Sequence, residues 1–269
     1  MAALPWKRLI DEYERDLRAL FRSFQILNRE GLSDAEMSRR FQLAAERIAG
    51  RMVTGLSKVN YRNWREAAYK TGHGRKIFEA LKGELSQTQV RRTLERIARE
   101  NAQLITSVPK DVARIITARS IQAQAEGKRA GEIENEIRQL APRLAENKIR
   151  LIARTQIGSA ESAITRARSE QIGLKFYVWE TSDDERVRKS HKHMSGVIVP
   201  WADPPSPEKL VGERSTLGFY HAGACPNCRC VSLSLVSLAE IGWPHKLYEH
   251  GVIRVVTRRE FQRQFPMAA

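Results

Sequence analysis

The hydrophobic period of this chain changes once, near Gly173, and that change limits what the chain can fold into. Upstream, apolar residues return every three or four positions. Trp6, Leu9, Ile10, Tyr13, Leu17, Leu20, Phe21, Phe24 and Leu27 form one such stripe, the spacing that lines up on one face of an α-helix. Breaks at residues 28–31 and at Gly72-His73-Gly74 divide the region into successive helices, and Ser33 with Glu36 and Ser86 with Gln89 are spaced as N-terminal caps. The spacing predicts helices over 86–109 and 111–126, ended by Pro109 and Gly127. A long helix is predicted over 143–172, starting after Pro142, with Ile149, Ile152, Ala160, Ile164 and Ala167 on one side and Gly173 as its stop.

Downstream the period shortens. Phe176-Tyr177-Val178-Trp179 and residues 197–199 are β-prone, residues 231–235 alternate strictly, and residues 252–256 read as a last strand. Residues 184–194 read as a short helix led by acidic residues. Residues 201–219 carry Pro204, Pro205, Pro207, Gly212 and Gly218 and read as loop. The fold class is therefore α+β. A helical N-terminal arm or bundle over 1–142 is followed by a module over 143–256, a long helix plus a small α+β part, and a mobile basic tail over 257–269.

Charge points to the partner. The chain has 46 Lys and Arg against 31 Asp and Glu, a formal charge of +15, which favours a polyanion. Arg254, Arg258, Arg259 and Arg263 are the candidate DNA contacts. No recognition-helix motif accompanies them, so contact with double-stranded DNA is expected to be non-specific. No run of eighteen apolar residues occurs, and charges at Lys7, Arg8, Asp11, Glu12, Glu14, Arg15 and Asp16 interrupt the first twenty positions. Neither a membrane span nor a signal peptide is expected, and the expected place of assembly is a reducing cytoplasm.

All three cysteines, Cys225, Cys228 and Cys230, fall within six positions, with His221 just before them and His191 and His193 about thirty residues upstream. Three close cysteines do not make a disulfide scaffold. They suit a structural zinc, which takes four thiolate and imidazole ligands, so at most four of these six candidates are used. Cys225-x-x-Cys228 has knuckle spacing, and a metal cross-link would hold the long 201–219 loop. A catalytic metal would need a general base, for which Asp183, Asp184 and Glu185 are near in sequence. Three acids ahead of a helix more often serve its N-terminus. A metal-dependent nuclease and a zinc-stabilised DNA-binding module are thus alternatives, and an enzyme is not the favoured reading. No phosphate-loop motif occurs.

Ile152-Ala153-Arg154-Thr155-Gln156 on a long helix is followed in order by Trp179, Asp184-Glu185-Arg186-Val187-Arg188, His191, Gly196, Pro200-Trp201 and Cys228-Arg229-Cys230. This ordered set, over roughly residues 145–235, resembles the head morphogenesis domain of tailed bacteriophages, the phage Mu-type minor head protein family. The resemblance implies a non-enzymatic minor capsid protein in the virion head, associated with the portal protein at its vertex and with other head proteins. It implies action in procapsid assembly and in DNA packaging or ejection, with no small-molecule substrate. Arg154, Trp179, Asp184, Arg186, Arg188 and Gly196 are its structural motif positions, and His191, Cys228 and Cys230 its positions among the metal candidates. His193, His221 and Cys225 have no place in that pattern.

Overall fold

The computed structural model describes residues 6–27, 34–70, 77–79, 81, 88–126 and 128–266. The breaks read at 28–31, at 72–74 and at Gly127, and the caps read at Ser33 and Ser86, lie outside the described residues. Four long helices carry the first two thirds: α1 (Lys7–Leu27), α2 (Asp34–Lys70), α3 (Thr88–Ala125) and α4 (Ala130–Gln171). Their stripes meet in one core in which Leu17, Leu56, Ile105, Ile157 and Ile164 are fully buried. Polar ties cross the same core. Tyr13 Oη donates to Asn101 Oδ1 at 3.2 Å, and Arg18 joins Glu14 and Glu146 at 2.7 Å each.

Two helix boundaries differ from the reading of the sequence. Pro109 lies inside α3 and Pro142 inside α4, so each of these helices is one continuous rod. An interior proline costs about 3 kcal/mol in an isolated helix. Here the two helices run against each other as a hairpin, with Val108 buried next to Pro109, and this packing outweighs the missing backbone bonds. As a result α4 crosses the boundary read at residue 142 and serves both the bundle and the C-terminal module.

Five strands follow: β1 (Phe176–Glu180), β2 (Val197–Pro200), β3 (Val231–Ser234), β4 (His245–Glu249) and β5 (Val252–Val256). They form one sheet in the order β3-β1-β2-β4-β5, antiparallel except for the β2–β4 pair. Strand β4 escaped the sequence pattern because its two buried residues, Leu247 and Tyr248, are adjacent and do not alternate. Short helices α5 (Lys189–Met194) and α6 (Pro207–Leu210) lie between strands. The acidic residues before α5 form a turn outside it, and α6 interrupts the segment read as loop.

Alternation along β1 sends Tyr177 and Trp179 to one face, and Phe176 to the other. The first face carries the cysteines, Trp201 and Tyr220. The second packs on helix α7 (Arg258–Gln264), where Phe261 is fully buried, its ring 5.1 Å from that of Phe176. The segment from residue 257 is therefore no mobile tail as far as residue 266. Thr257 and Glu260 form a capping box that starts α7, and Phe261 with Phe265 anchors it.

Candidate metal centre

Helix α5 places the first ligand. Its buried face consists of Ser190, His191 and Met194, while His193 points to solvent. Gly196, at φ 73°, turns the chain back so that its N–H reaches the Trp179 carbonyl at 2.8 Å. The indole of Trp179, opposite Val197 in the sheet, then stands edge-on to His191 with ring centres 5.5 Å apart.

His191 Nδ1 faces two thiols, Cys228 Sγ at 3.6 Å and Cys230 Sγ at 3.3 Å. These three donor atoms lie within 4.8 Å of one another and all three residues are buried. Two ligands of a tetrahedral zinc, one imidazole and one thiolate, sit about 3.5 Å apart given the usual bond lengths. The spacing fits. Cys225 approaches the same ring from its other edge, with Sγ 3.7 Å from Nε2.

The other ring nitrogen is held independently. His191 Nε2 lies 3.0 Å from Tyr220 Oη, which donates to Glu208 Oε1 at 2.6 Å, and Ser190 Oγ donates to the same oxygen. With Tyr220 Oη spending its proton on Glu208, Nε2 is the donor to the tyrosine oxygen. Nδ1 is then left as a lone pair aimed at the thiols. Metal-binding histidines are commonly oriented in this way.

The thiols influence one another. Cys225 and Cys230 both hydrogen-bond to Cys228, which pulls the Cys228 thiol far below its usual range. The same bonds to Cys228, and then burial, push Cys225 and Cys230 up. Without a cation, only one thiolate is favoured in this nest.

Ion pairs and close backbone contacts brace the cysteine loop. Arg188 donates to Cys225 Sγ and to the Pro226 carbonyl, both at 2.9 Å. Asp184 clasps both guanidinium nitrogens of Arg229 and accepts the Arg186 N–H at 2.9 Å. The Arg229 guanidinium holds the Asp184 carboxyl below the ordinary carboxylate range. From α4, Thr155 Oγ1 accepts the Asn227 N–H at 3.2 Å. One turn on, Gly158 meets Gly223, where a Cβ on Gly158 would lie 3.0 Å from the Gly223 carbonyl oxygen.

Of the six candidate ligands, the fold brings together His191, Cys228 and Cys230, with Cys225 alongside. It leaves His193 exposed and directs His221 elsewhere. The His221 ring lies between Tyr177 Oη, 3.2 Å from Nδ1, and Arg166 Nη1, 3.4 Å from Nε2. Burial and then the Arg166 charge push its pKa down to about 4. Among the motif positions, Asp184, Arg188, Trp179 and Gly196 build the site as described. Arg186 is exposed and contributes its backbone, and Arg154 is exposed on α4. Arg254 pairs with Glu249 at 2.9 Å, while Arg258, Arg259 and Arg263 are exposed along α7.

Sequence reasoning missed Tyr220, Glu208, Gly158 and Gly223, none of which sits in a recognisable spacing. Arg229 and Thr155 were inside quoted motifs, but nothing local showed what they would touch.

Residues 114–233 match the family described as phage Mu protein F like protein. The resemblance read from the sequence is supported over that segment. An uncharacterized protein of Haemophilus influenzae is 32% identical over 136 residues, 51% of this chain and 28% of that protein. The chain therefore matches under a third of that relative's length. No solved structure matches. Among the described residues, no helix is long and apolar enough to cross a membrane.

Proposed function

We propose that this chain is a structural minor head protein of a phage-type particle, acting in head assembly at the portal vertex, with its C-terminal module tied by one zinc ion. The observation that carries this reading is the gathering of the family-like motif positions around a single centre. His191, Cys228, Cys230, Asp184 and Arg188 all converge on the cysteine loop inside the segment that matches the family.

His191 Nδ1, Cys228 Sγ and Cys230 Sγ would hold the ion, and Cys225 Sγ, which faces Nε2 of the same ring, would have to swing round to add a fourth donor. Bound there, zinc would supply a cross-link between α5 and the cysteine loop and would let its cysteine ligands ionise together. With Cys225 as the fourth donor the centre would be a closed structural one. Of the acids near the centre, Asp184 is spent on Arg229 and Glu208 accepts from Tyr220 and Ser190, so the nuclease alternative gains no support from the geometry.

The charge of +15 and the exposed Arg258, Arg259 and Arg263 suit contact with packaged DNA through phosphates. The long helices suit docking against neighbouring head subunits. The test is co-expression with the portal protein of the same genome, followed by affinity capture and elemental analysis of the complex. Co-elution with portal oligomers and about one zinc per chain supports the proposal. Failure to co-elute across assembly conditions removes the head-assembly reading, and absence of metal in a folded complex removes the zinc.

A further inference from the structure

A cavity lies between α2, α4 and the edge strand β3, and reaches the cysteine loop at Arg229. It encloses about 660 Å³, within the range of pockets that hold small organic ligands. Trp64 and Trp6 contribute indole walls, and Leu233 on β3, itself 52% exposed, lines the rim.

At its base sits Glu161, only 6% exposed. Its Oε1 accepts both available bonds, from Thr165 Oγ1 at 3.0 Å and Asn60 Nδ2 at 3.3 Å. Both of these bonds fall on the one oxygen, which leaves Oε2 without one among the described residues, and the residue lines the cavity. The nearby cations are committed elsewhere. Arg168, one element of the same polar cluster, donates to Asn60 Oδ1 and Ser57. Arg229, the one basic residue lining the cavity among those described, clasps Asp184. Glu180 and Asp183 add further carboxylates at the mouth.

A chain with a surplus of fifteen positive charges thus keeps one concave, partly apolar space lined by acids and indoles. A buried carboxylate with one oxygen unbonded is costly, and burial, only partly offset by the Thr165 and Asn60 hydrogen bonds and the Arg168 charge, raises the Glu161 carboxyl to about 7. A cation with an apolar body would satisfy both sides of such a space: carboxylate to ammonium, and methylenes or charge against the indole faces.

We infer that this cavity is a binding site for a free organic ammonium ion of the alkyl polyamine class, its ammonium head on Glu161 Oε2 and its stem along Trp64. The site uses no cysteine as a ligand, although Arg229 of the cysteine loop lines it, and it does not depend on the head-assembly reading.

Isothermal titration calorimetry of the full chain with spermidine tests it, with 1-pentanol and sodium chloride at matched ionic strength as controls. The expected result is saturable one-to-one binding of spermidine with a change in tryptophan fluorescence and no saturable binding of pentanol. Glu161→Gln keeps the side-chain shape, and Leu233→Lys puts a tethered ammonium at the exposed rim. Each should weaken binding at least tenfold. Circular dichroism checks that the variants fold, and Leu233→Lys, altered at an exposed position, decides alone if Glu161→Gln does not. Equal affinity in wild type and Leu233→Lys, or heats no larger than those of sodium chloride, would overturn the assignment. Tighter binding of N-acetyl-lysine amide than of spermidine would also overturn it, by assigning the cavity to a lysine side chain of a protein partner.

Discussion

The helical bundle and the cysteine module hold together by different means. In the bundle, four helices share one continuous core built from many buried apolar residues. The module spreads its five strands, of four or five residues each, over two small cores. It closes its longest connections with a few specific contacts: His191 with its thiols, Arg188 with the cysteine loop, Asp184 with Arg229. Redundant apolar burial degrades gradually when one contact is lost, whereas a tie made by one ligand set is lost at once.

The strongest way to break this contrast is Cys228→Ser. Loss of the bound metal and much faster proteolytic cleavage between Trp201 and Cys225 are expected, with far-UV helicity almost unchanged. Cleavage at the wild-type rate would show that the residue ties nothing. The converse change is Leu56→Ala, at a fully buried position in the bundle. Chemical denaturation should register a loss of about 2–5 kcal/mol, with the metal content per chain unaltered. If this substitution released the metal, the two regions would not be separable as described.

Gly158→Ala probes the seam between the regions, since the new Cβ would press on a backbone carbonyl of the cysteine loop. A loss of about 1–3 kcal/mol is expected, together with faster cleavage of the 201–225 loop. A neutral effect would mean that the loop can retreat freely from α4. The smallest effect concerns pH. The folded His221 has a pKa near 4 against an ordinary 6.5, so its contribution is complete above 6.5 and fades as pH falls toward 4. Between pH 7 and pH 5 the loss should be roughly 1–2 kcal/mol. It should be absent in His221→Gln, and identical pH profiles for the two proteins would refute the buried neutral state.

Residues 114–233 match the family, yet the motifs that resemble it begin only near residue 145. The additional stretch is the second half of α3 and the start of α4, a hairpin with few buried residues. Its ion pairs, such as Arg119 with Glu136 at 2.6 Å and Lys128 with Glu136 at 2.9 Å, form between helices and leave no short motif in the chain. A region held by such pairs is visible to a comparison along its whole length and invisible to motif reading.

Local reading succeeded where a pattern repeats within a few residues. The helical stripe of α1, the alternation in β3 and the clustering of Cys225, Cys228 and Cys230 all have that property. It failed at Pro109 and Pro142, where packing between helices overrode a local breaker, and at Thr257, where a capping box and buried Phe261 turned an expected loose tail into α7. It failed also for the choice among histidines. His191 and His193 are two residues apart, yet α5 buries the first and exposes the second.

The sequence by itself determined that a basic helical region precedes a small mixed module bearing soft ligands, because hydrophobic period, charge and cysteine spacing are properties of neighbouring residues. Only the tertiary structure decided which imidazole meets which thiols, that Tyr220 and Glu208 orient it, and that Glu161 faces a cavity with one oxygen unpaired. Those contacts join residues separated by tens of positions. Their partners are chosen by how helices and strands pack, so no local pattern encodes them.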